Sequence, residues 1–153
     1  MHCRLLLPAL VLLAGCGDSG PSTDQFSGLW QLASVNSQPL PATGSTTGSA
    51  VWVAAVLQIQ QGTGSFDRCF EDPSTSNRTS QSTFVSTNPL NGDKLAVQYF
   101  ERRDTSADTA SINGGKLVLH YRYTQVGGQV LATDVLTFEP LSGDLPPACS
   151  IAP

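Results

Sequence analysis

Apolar and polar positions alternate with a period of two along most of this chain, a pattern typical of β-strands that bury one face. In the clearest run, residues 116–124, Leu117, Leu119, Tyr121 and Tyr123 alternate with side chains that are polar except for Val118. Helical periodicity is nearly absent. The pattern predicts short strands at residues 29–36, 50–60, 65–71, 83–86, 94–102, 116–124 and 130–139.

Turn residues separate these strands about every 8 to 12 residues, the spacing of a small barrel or sandwich. Consecutive hairpins favour an antiparallel meander, and closing a meander into a barrel leaves no strand edge exposed. We therefore expect an all-β domain that forms a small antiparallel up-and-down barrel of about seven or eight strands. A β-sandwich is the alternative. The polar segments 72–81 and 104–110 predict loops, and Gly127-Gly128 predicts a tight hairpin turn.

Three side chains on the predicted strands are candidates for contact with a ligand. The main apolar face of strand 50–60 is formed by Val51, Val53, Ala55, Leu57 and Ile59. Trp52 lies off that face, so it either packs in a core or contacts a ligand. His120 and Arg122 lie on the polar face of strand 116–124. They are surface residues unless that face lines the barrel, in which case they face a ligand.

Charge and chemistry exclude several classes of function. The chain has 153 residues, with 8 Lys or Arg against 12 Asp or Glu. Beyond Arg102-Arg103 there is no basic cluster, so we expect no nucleic-acid partner. The only histidines are His2 and His120, and neither a nucleophile–base pair nor a set of metal ligands is visible. We therefore expect no enzymatic activity, no metal and no cofactor.

The N-terminal segment has the features of a secretory signal. Arg4 precedes an apolar run at residues 5–13, which is about half the length of a membrane-spanning helix. The run ends in Leu13-Ala14-Gly15-Cys16, which resembles the signal of bacterial lipoproteins. The resemblance implies that residues 1–15 are removed and that Cys16 is lipidated. An ordinary signal peptide with an incidental cysteine is the alternative.

The same resemblance implies a cell-envelope location, with acyl chains holding the protein to the membrane. Gly17 stands where the inner-membrane retention signal has an aspartate, so the implied site is the periplasmic face of the outer membrane if the cell is Gram-negative. Small polar residues at 17–27 predict a flexible tether after Cys16. The folded domain is then expected to span residues 28–153.

Two cysteines remain after processing, Cys69 and Cys149. In an oxidising compartment the simplest outcome is one disulfide between them, which would tie the C-terminal tail to the third predicted strand. Two separate thiols are the alternative.

The first predicted strand carries a family resemblance. Gly28-Leu29-Trp30 resembles the Gly-x-Trp signature of the lipocalins, and residues 28–41 resemble the opening of small bacterial lipocalin-like lipoproteins, with Ser37 where glycine is usual. Residues 112–119 and 136–139 resemble their final strand pair. The resemblance implies a calycin-type barrel with Trp30 closing one end. The arginine that stacks on this tryptophan in lipocalins is missing from the last strand, so a META-type β-domain is a second alternative.

Two functions follow as hypotheses. The lipocalin resemblance implies a small apolar or amphipathic ligand inside the barrel, contacted by Trp52, His120 and Arg122, since an eight-stranded barrel has room for about one such molecule. The alternative is a non-enzymatic envelope interaction or structural protein that has a filled core and meets a partner with its outer face. The sequence does not identify a protein partner.

Overall fold

The structure is a computed structural model, and it describes residues 24–90, 93–101, 107–124, 129–144 and 148–150. The predicted signal peptide, Cys16, most of the tether and the Gly127-Gly128 turn lie outside the described residues. The strands are β1 Gly28–Val35, β2 Gln38–Pro39, β3 Ala42–Thr43, β4 Val51–Gln60, β5 Thr63–Asp72, β6 Asn77–Pro89, β7 Lys94–Tyr99, β8 Asp108–Asn113, β9 Lys116–Thr124 and β10 Val130–Leu141. Short 3-10 helices lie at Asp24–Phe26 and Ala148–Ser150.

The strands form a closed antiparallel barrel. Neighbours along the sheet follow the order β1-β10-β9-β8-β7-β6-β5-β4, and β4 pairs back onto β1 from Gly28↔Ile59 to Gln31↔Val56. Eight strands therefore form the ring, while the two-residue strands β2 and β3 add to β1 and β4. The predicted all-β up-and-down barrel is confirmed, with an architecture consistent with a lipocalin-like barrel.

The antiparallel register gives the barrel two ends with different chain segments. The tether end holds Gly28 and the turns at residues 61–62 and 114–115. The far end holds the segment 36–50 and the turn at residues 73–76. Because β1 begins at the tether end, the chain that precedes it arrives there.

Apolar side chains from all eight barrel strands fill the interior. The buried members of this core from the barrel strands are Trp30, Leu32, Val35, Trp52, Ala55, Leu57, Ile59, Phe66, Val85, Leu95, Val97, Tyr99, Ala110, Leu117, Leu119, Leu136 and Phe138. Packing of this kind supplies most of the free energy of folding, since removing apolar surface from water stabilises a fold by about 25 cal/mol per Å².

The predicted buried face of β4 is wrong at its first residues. A register shift between Trp52 and Ala54 marks a β-bulge, which moves the alternation by one residue. Trp52 is fully buried in the barrel core, whereas Val53 packs on the outside with Cys69. Alternation in the sequence does not reveal a bulge. The pattern therefore predicts Val51 and Val53 on the same face as Ala55, whereas both pack on the outside of the barrel.

The predicted disulfide between Cys69 and Cys149 is confirmed. It joins residues 80 apart and holds the C-terminal 3-10 helix on the outer wall, where Ala148 packs against Val53 and Ala54. In the chain-entropy model, closing a loop of this length stabilises the native state by about 4 to 5 kcal/mol.

Two predicted loops are wrong because they contain strand residues. Segment 72–81 includes the start of β6 at Asn77, and segment 104–110 includes the start of β8 at Asp108. The side chains of residues 77–82 are all exposed, so this part of β6 shows no apolar alternation. It is a strand because its backbone pairs in register with β5, from Asp72↔Asn77 onward.

The folded part also begins earlier than residue 28. Phe26 is the apolar residue of the predicted tether, and only 1% of it is exposed, because it packs into the barrel core. The described residues include no helix that is both long and apolar enough to cross a membrane.

Candidate functional site

The tether end is closed by aromatic packing. Trp30 is 6% exposed, and its Nε1 donates a hydrogen bond of 2.9 Å to the carbonyl oxygen of Phe26. This bond holds the N-terminal 3-10 helix against the first strand. Arg122 pairs with Thr133 near the far end, so it is not placed to stack on Trp30.

The middle of the barrel is occupied by a ring cluster. The ring centroid of Phe66 lies 6.3 Å from that of Trp52, 5.9 Å from those of Tyr99 and Tyr121, and 6.1 Å from that of Phe138. Such spacing is that of packed aromatic pairs. The interior at this level is therefore filled by the protein's own side chains.

A buried arginine lies beside this ring cluster, towards the far end. Arg68 is 2% exposed, and its Cζ lies 5.2 Å from the ring centroid of Phe66, within cation–π range. Its Nη1 donates to Tyr121 Oη at 2.8 Å and its Nη2 to Glu101 Oε1 at 2.7 Å. In the described part of the chain Arg68 Nε has no hydrogen-bond partner. The Glu101 side chain is 44% exposed, so the ion pair runs from the core to the solvent.

A buried carboxylate holds the segment 36–50 on the far end. Asp134 Oδ1 accepts hydrogen bonds from Asn36 Nδ2, Ser45 N and Ser45 Oγ at 2.7–2.8 Å. Its Oδ2 accepts from Thr46 N and Thr46 Oγ1. Burial by itself would raise the pKa of the Asp134 carboxyl, but the hydrogen bonds from Thr46, Asn36 and Ser45 outweigh it and lower the pKa.

Gly44 allows this segment to approach the core. A Cβ atom at position 44 would lie 2.4 Å from Asp134 Oδ2 and 2.6 Å from Trp52 Nε1, closer than any real contact. The loop therefore rests directly on the indole of Trp52. Within the described residues, Trp52 Nε1 is buried without a hydrogen-bond partner.

The structure does not bring the three predicted ligand contacts together. Trp52 faces the interior, whereas His120 is exposed on the outer side of β9, between the inward-facing Leu119 and Tyr121. Arg122 Nε donates to Asp108 Oδ1 at 3.0 Å, and a second guanidinium nitrogen of Arg122 bonds the carbonyl oxygen of Ala107. Across the described ranges, no group of three or more His, Cys, Asp or Glu side chains is arranged to hold a metal ion.

The outer wall carries an aromatic pair that the sequence analysis did not single out. Phe84 on β6 and Phe100, directly after β7, are each 75% exposed. The backbone N–H of Phe100 donates to the carbonyl oxygen of Phe84 at 3.1 Å, so the two residues lie opposite each other. They border a groove of about 460 Å³ whose other side is lined by polar side chains, including Gln58, Gln60, Thr63 and Ser65.

The floor of this groove depends on Gly64. A Cβ atom there would lie 1.8 Å from the carbonyl oxygen of Gln58, so only glycine allows β4 and β5 to approach so closely. We refer below to Phe84, Phe100 and the polar side chains across the groove as the outer groove.

Sequence signals for these features exist but are weak. Arg68 lies between Phe66 and Phe70 at a period of two, which places it on the apolar face of β5. Phe84 and Phe100 stand out of phase with the buried Val85 and Tyr99. Exposed phenylalanines of this kind can be recognised only once the inward face of each strand is known.

The chain matches no protein-family model, and a search of curated proteins finds no similar sequence.

Proposed function

We propose that this protein is a non-enzymatic cell-envelope protein, anchored by lipid at Cys16, that binds a protein partner through the outer groove. The observation that carries this proposal is the exposed pair Phe84 and Phe100. Aromatic side chains that stay exposed side by side are enriched where proteins bind one another, because burial in a complex removes their apolar surface from water.

The filled barrel supports an external rather than an internal site. Four rings surround Phe66 at the spacing of packed aromatic pairs, and core side chains come from every barrel strand. A ligand at this level of the interior would have to displace packed side chains, and interiors packed to crystal density resist such displacement.

The position of the groove suits a tethered protein. The groove lies on the side wall of the barrel and reaches from Phe100, directly after β7, to Gln60 and Thr63 beside the turn at the tether end. A lipid anchor at Cys16 would hold the tether end nearest the bilayer, so a partner that binds the side wall would meet the protein close to the membrane.

Site-specific photo-crosslinking in cells that make the protein tests this proposal. A photoreactive phenylalanine at position 100 is expected to form discrete protein adducts. The matched control is the same residue at position 123, because Tyr123 is also an exposed aromatic, at 53%. Adducts from position 100 that contain only lipid, or that equal those from position 123, would contradict the proposal.

A small amphipathic ligand is the second candidate, favoured by Arg68. An anionic head group could replace Glu101 on the buried guanidinium, since the Glu101 side chain is 44% exposed and forms the solvent end of the ion pair. Native mass spectrometry of the protein from the periplasm would then show a small-molecule adduct that Arg68→Met removes. Arg78→Met is the control, because Arg78 pairs with Glu71 on the surface. A mass without any adduct in the unaltered protein would exclude this candidate.

A further inference from the structure

The outer wall beside the groove is built from two rows of uncharged side chains that cross β4, β5, β6 and β7. The ring row consists of the paired residues Gln58, Ser65, Phe84 and Phe100. The amide row lies next to it on the tether side and consists of the paired residues Gln60, Thr63, Ser86 and Gln98. Both rows face outward, because core residues such as Leu57, Phe66 and Val85 alternate with them along the strands. Neither row contains an ionisable side chain, so this wall suits a partner surface that is also uncharged.

Each row is complementary to its own reverse. In a pair related by a two-fold axis that runs parallel to the strands between β5 and β6, β4 of one copy faces β7 of the other, and β5 faces β6. In the amide row, Gln60 then faces Gln98 of the other copy, and side-chain amides supply both hydrogen-bond donors and acceptors. In the ring row, Phe84 and Phe100 face the polar side chains of the other copy. The rings of each copy therefore enter the groove of the other.

We propose that the partner bound by the outer groove is a second copy of this chain, in a dimer with this two-fold symmetry. This inference rests on the proposed function and names its partner. An axis parallel to the strands points both tether ends to the same side, so two lipid anchors at Cys16 can enter one membrane leaflet. An axis along the rows would point the tether ends in opposite directions. Two copies held in one leaflet also have a raised effective concentration, which favours their association.

The area of the aromatic pair is suited to a dimer. An aromatic side chain buries about 150–250 Å² when it is fully covered. Phe84 and Phe100, each 75% exposed, can therefore bury roughly 300 Å² together in each copy. A standard interface buries about 800 Å² per partner, so the rings supply its apolar centre and the polar side chains of the two rows supply its rim.

The charges near the groove do not prevent this pairing, although the chain carries a net charge of −4. Asp67 lies beside the ring row on β5 and accepts a hydrogen bond of 3.0 Å from Ser65 Oγ. In the dimer Asp67 faces Ser82 on β6 of the other copy, whose hydroxyl can donate to it. Glu101 is already paired with Arg68. Salt screens the remaining repulsion beyond about 8 Å at physiological ionic strength.

Photo-crosslinking between two tagged copies tests the inference. The full-length protein with a photoreactive phenylalanine at position 100 is made in cells together with an unaltered copy that carries a different tag. The expected adduct has twice the mass of one chain, contains both tags and is joined within residues 58–65 of the other copy. Position 123 is the matched control and should not join two copies. A joint elsewhere on the other copy, or an equal yield from position 123, would overturn the inference.

A charge pair tests the two-fold arrangement, in which Phe100 faces Gln58 of the other copy. With the photoreactive residue at position 98, Phe100→Glu in both copies should lower the yield of joined copies about tenfold, because the ring no longer fills the groove. Pairing a Phe100→Glu copy with a Gln58→Lys copy should restore most of the yield, since the lysine faces the new carboxylate. Gln38→Lys is the control at an exposed glutamine of the far end, and it should restore less.

Urea unfolding separates association from folding in these variants. None of the altered positions is buried, so the unfolding midpoint of each variant should match that of the unaltered protein. Equal restoration by Gln58→Lys and Gln38→Lys, or a Phe100→Glu variant whose copies still join, would overturn the inference.

The two proposals fail separately. If position 100 forms adducts only with a different protein, the proposed function stands and only this inference falls. If position 100 forms no protein adduct in the otherwise unaltered protein, the proposed function falls and the inference falls with it.

Discussion

The two ends of the barrel are closed by different chemistry. At the tether end, the apolar Phe26 enters the core and Trp30 holds its carbonyl. At the far end, segment 36–50 is held by one buried carboxylate, Asp134, through hydrogen bonds from five donors. Beside it the charged Arg68 reaches from the core to the solvent.

This difference predicts that the two ends respond differently to pH. Apolar closure involves no titrating group, so the tether end should keep its stability as the pH falls. Closure by Asp134 depends on ionisation, so the far end should lose part of its stability in acid. The exposed pair Phe84 and Phe100 lies on the side wall and takes part in neither closure.

The largest expected effect is at the tether end. Phe26→Ala should lower the free energy of unfolding by about 4 kcal/mol, because it leaves a cavity where a buried ring packed. Urea unfolding at neutral pH measures this loss. Gln25→Ala is the control, since Gln25 is an exposed neighbour, and it should stay within about 0.5 kcal/mol. A loss at Phe26 no larger than the control would contradict apolar closure.

The corresponding change at the far end is expected to be smaller. Asp134→Asn removes the charge and turns an NH₂ group towards donors, which should cost about 2 kcal/mol of unfolding free energy. Asp144→Asn at an exposed carboxylate is the matched control. Urea unfolding of both variants measures the difference, and equal midpoints would show that the carboxylate does not hold segment 36–50.

The pH dependence sharpens the same comparison. The pKa of Asp134 is lower in the folded protein than in the unfolded chain, so its contribution is complete above the unfolded value of about 3.9 and is lost as pH falls through the folded value. The pKa of Asp72 is also lowered, by hydrogen bonds from Ser74, so its contribution is likewise lost as the pH falls.

Thermal unfolding from pH 6 to pH 2 therefore needs both variants. The stability gap between the unaltered protein and Asp134→Asn should narrow as the pH falls below about 4. Asp72→Asn is the comparison variant, because it measures how much of the pH dependence comes from Asp72 beside the turn at residues 73–76. The difference in stability between the unaltered protein and Phe26→Ala should stay constant over this pH range. If the difference for Asp134→Asn is equally constant, the pH dependence of the far end does not come from Asp134.

The smallest effect on stability is expected where recognition is proposed. Phe84→Ser combined with Phe100→Ser should change the free energy of unfolding by less than about 0.5 kcal/mol per site, since both side chains are exposed. Because this double variant replaces Phe100, the photoreactive residue is placed instead at Gln98 on β7. Crosslinking from position 98 should capture the partner in the otherwise unaltered protein and lose it in the double variant. If the double variant loses both stability and capture of the partner, the pair supports the fold instead.

Much of the fold could be predicted from period-two alternation. It located the strands that cross the core, such as β9, because one face there is buried and the other is exposed. It failed for residues 77–82, where both faces are exposed and polarity carries no alternation. Only the pairing of this segment with β5 makes it a strand.

The site was less predictable than the fold. Trp52 was a candidate for either a core or a ligand-facing position, and the bulge after it decided for the core. The sequence analysis does not predict that Arg68 is buried, because a charged side chain is expected at the surface even where period two places it on the same face as Phe66 and Phe70. Its burial is compensated by Tyr121 and Glu101, which are distant in sequence.

The sequence by itself determined the fold class and the cysteine pair, because alternation and the count of remaining cysteines are local or compositional properties. The tertiary structure alone decided which side of β4 faces inward and which groups hydrogen-bond the buried charges of Arg68 and Asp134. Each of these depends on partners far away in the chain. A period-two pattern shows that a strand has two unlike faces, but only closure of the barrel selects which of them is the inner face.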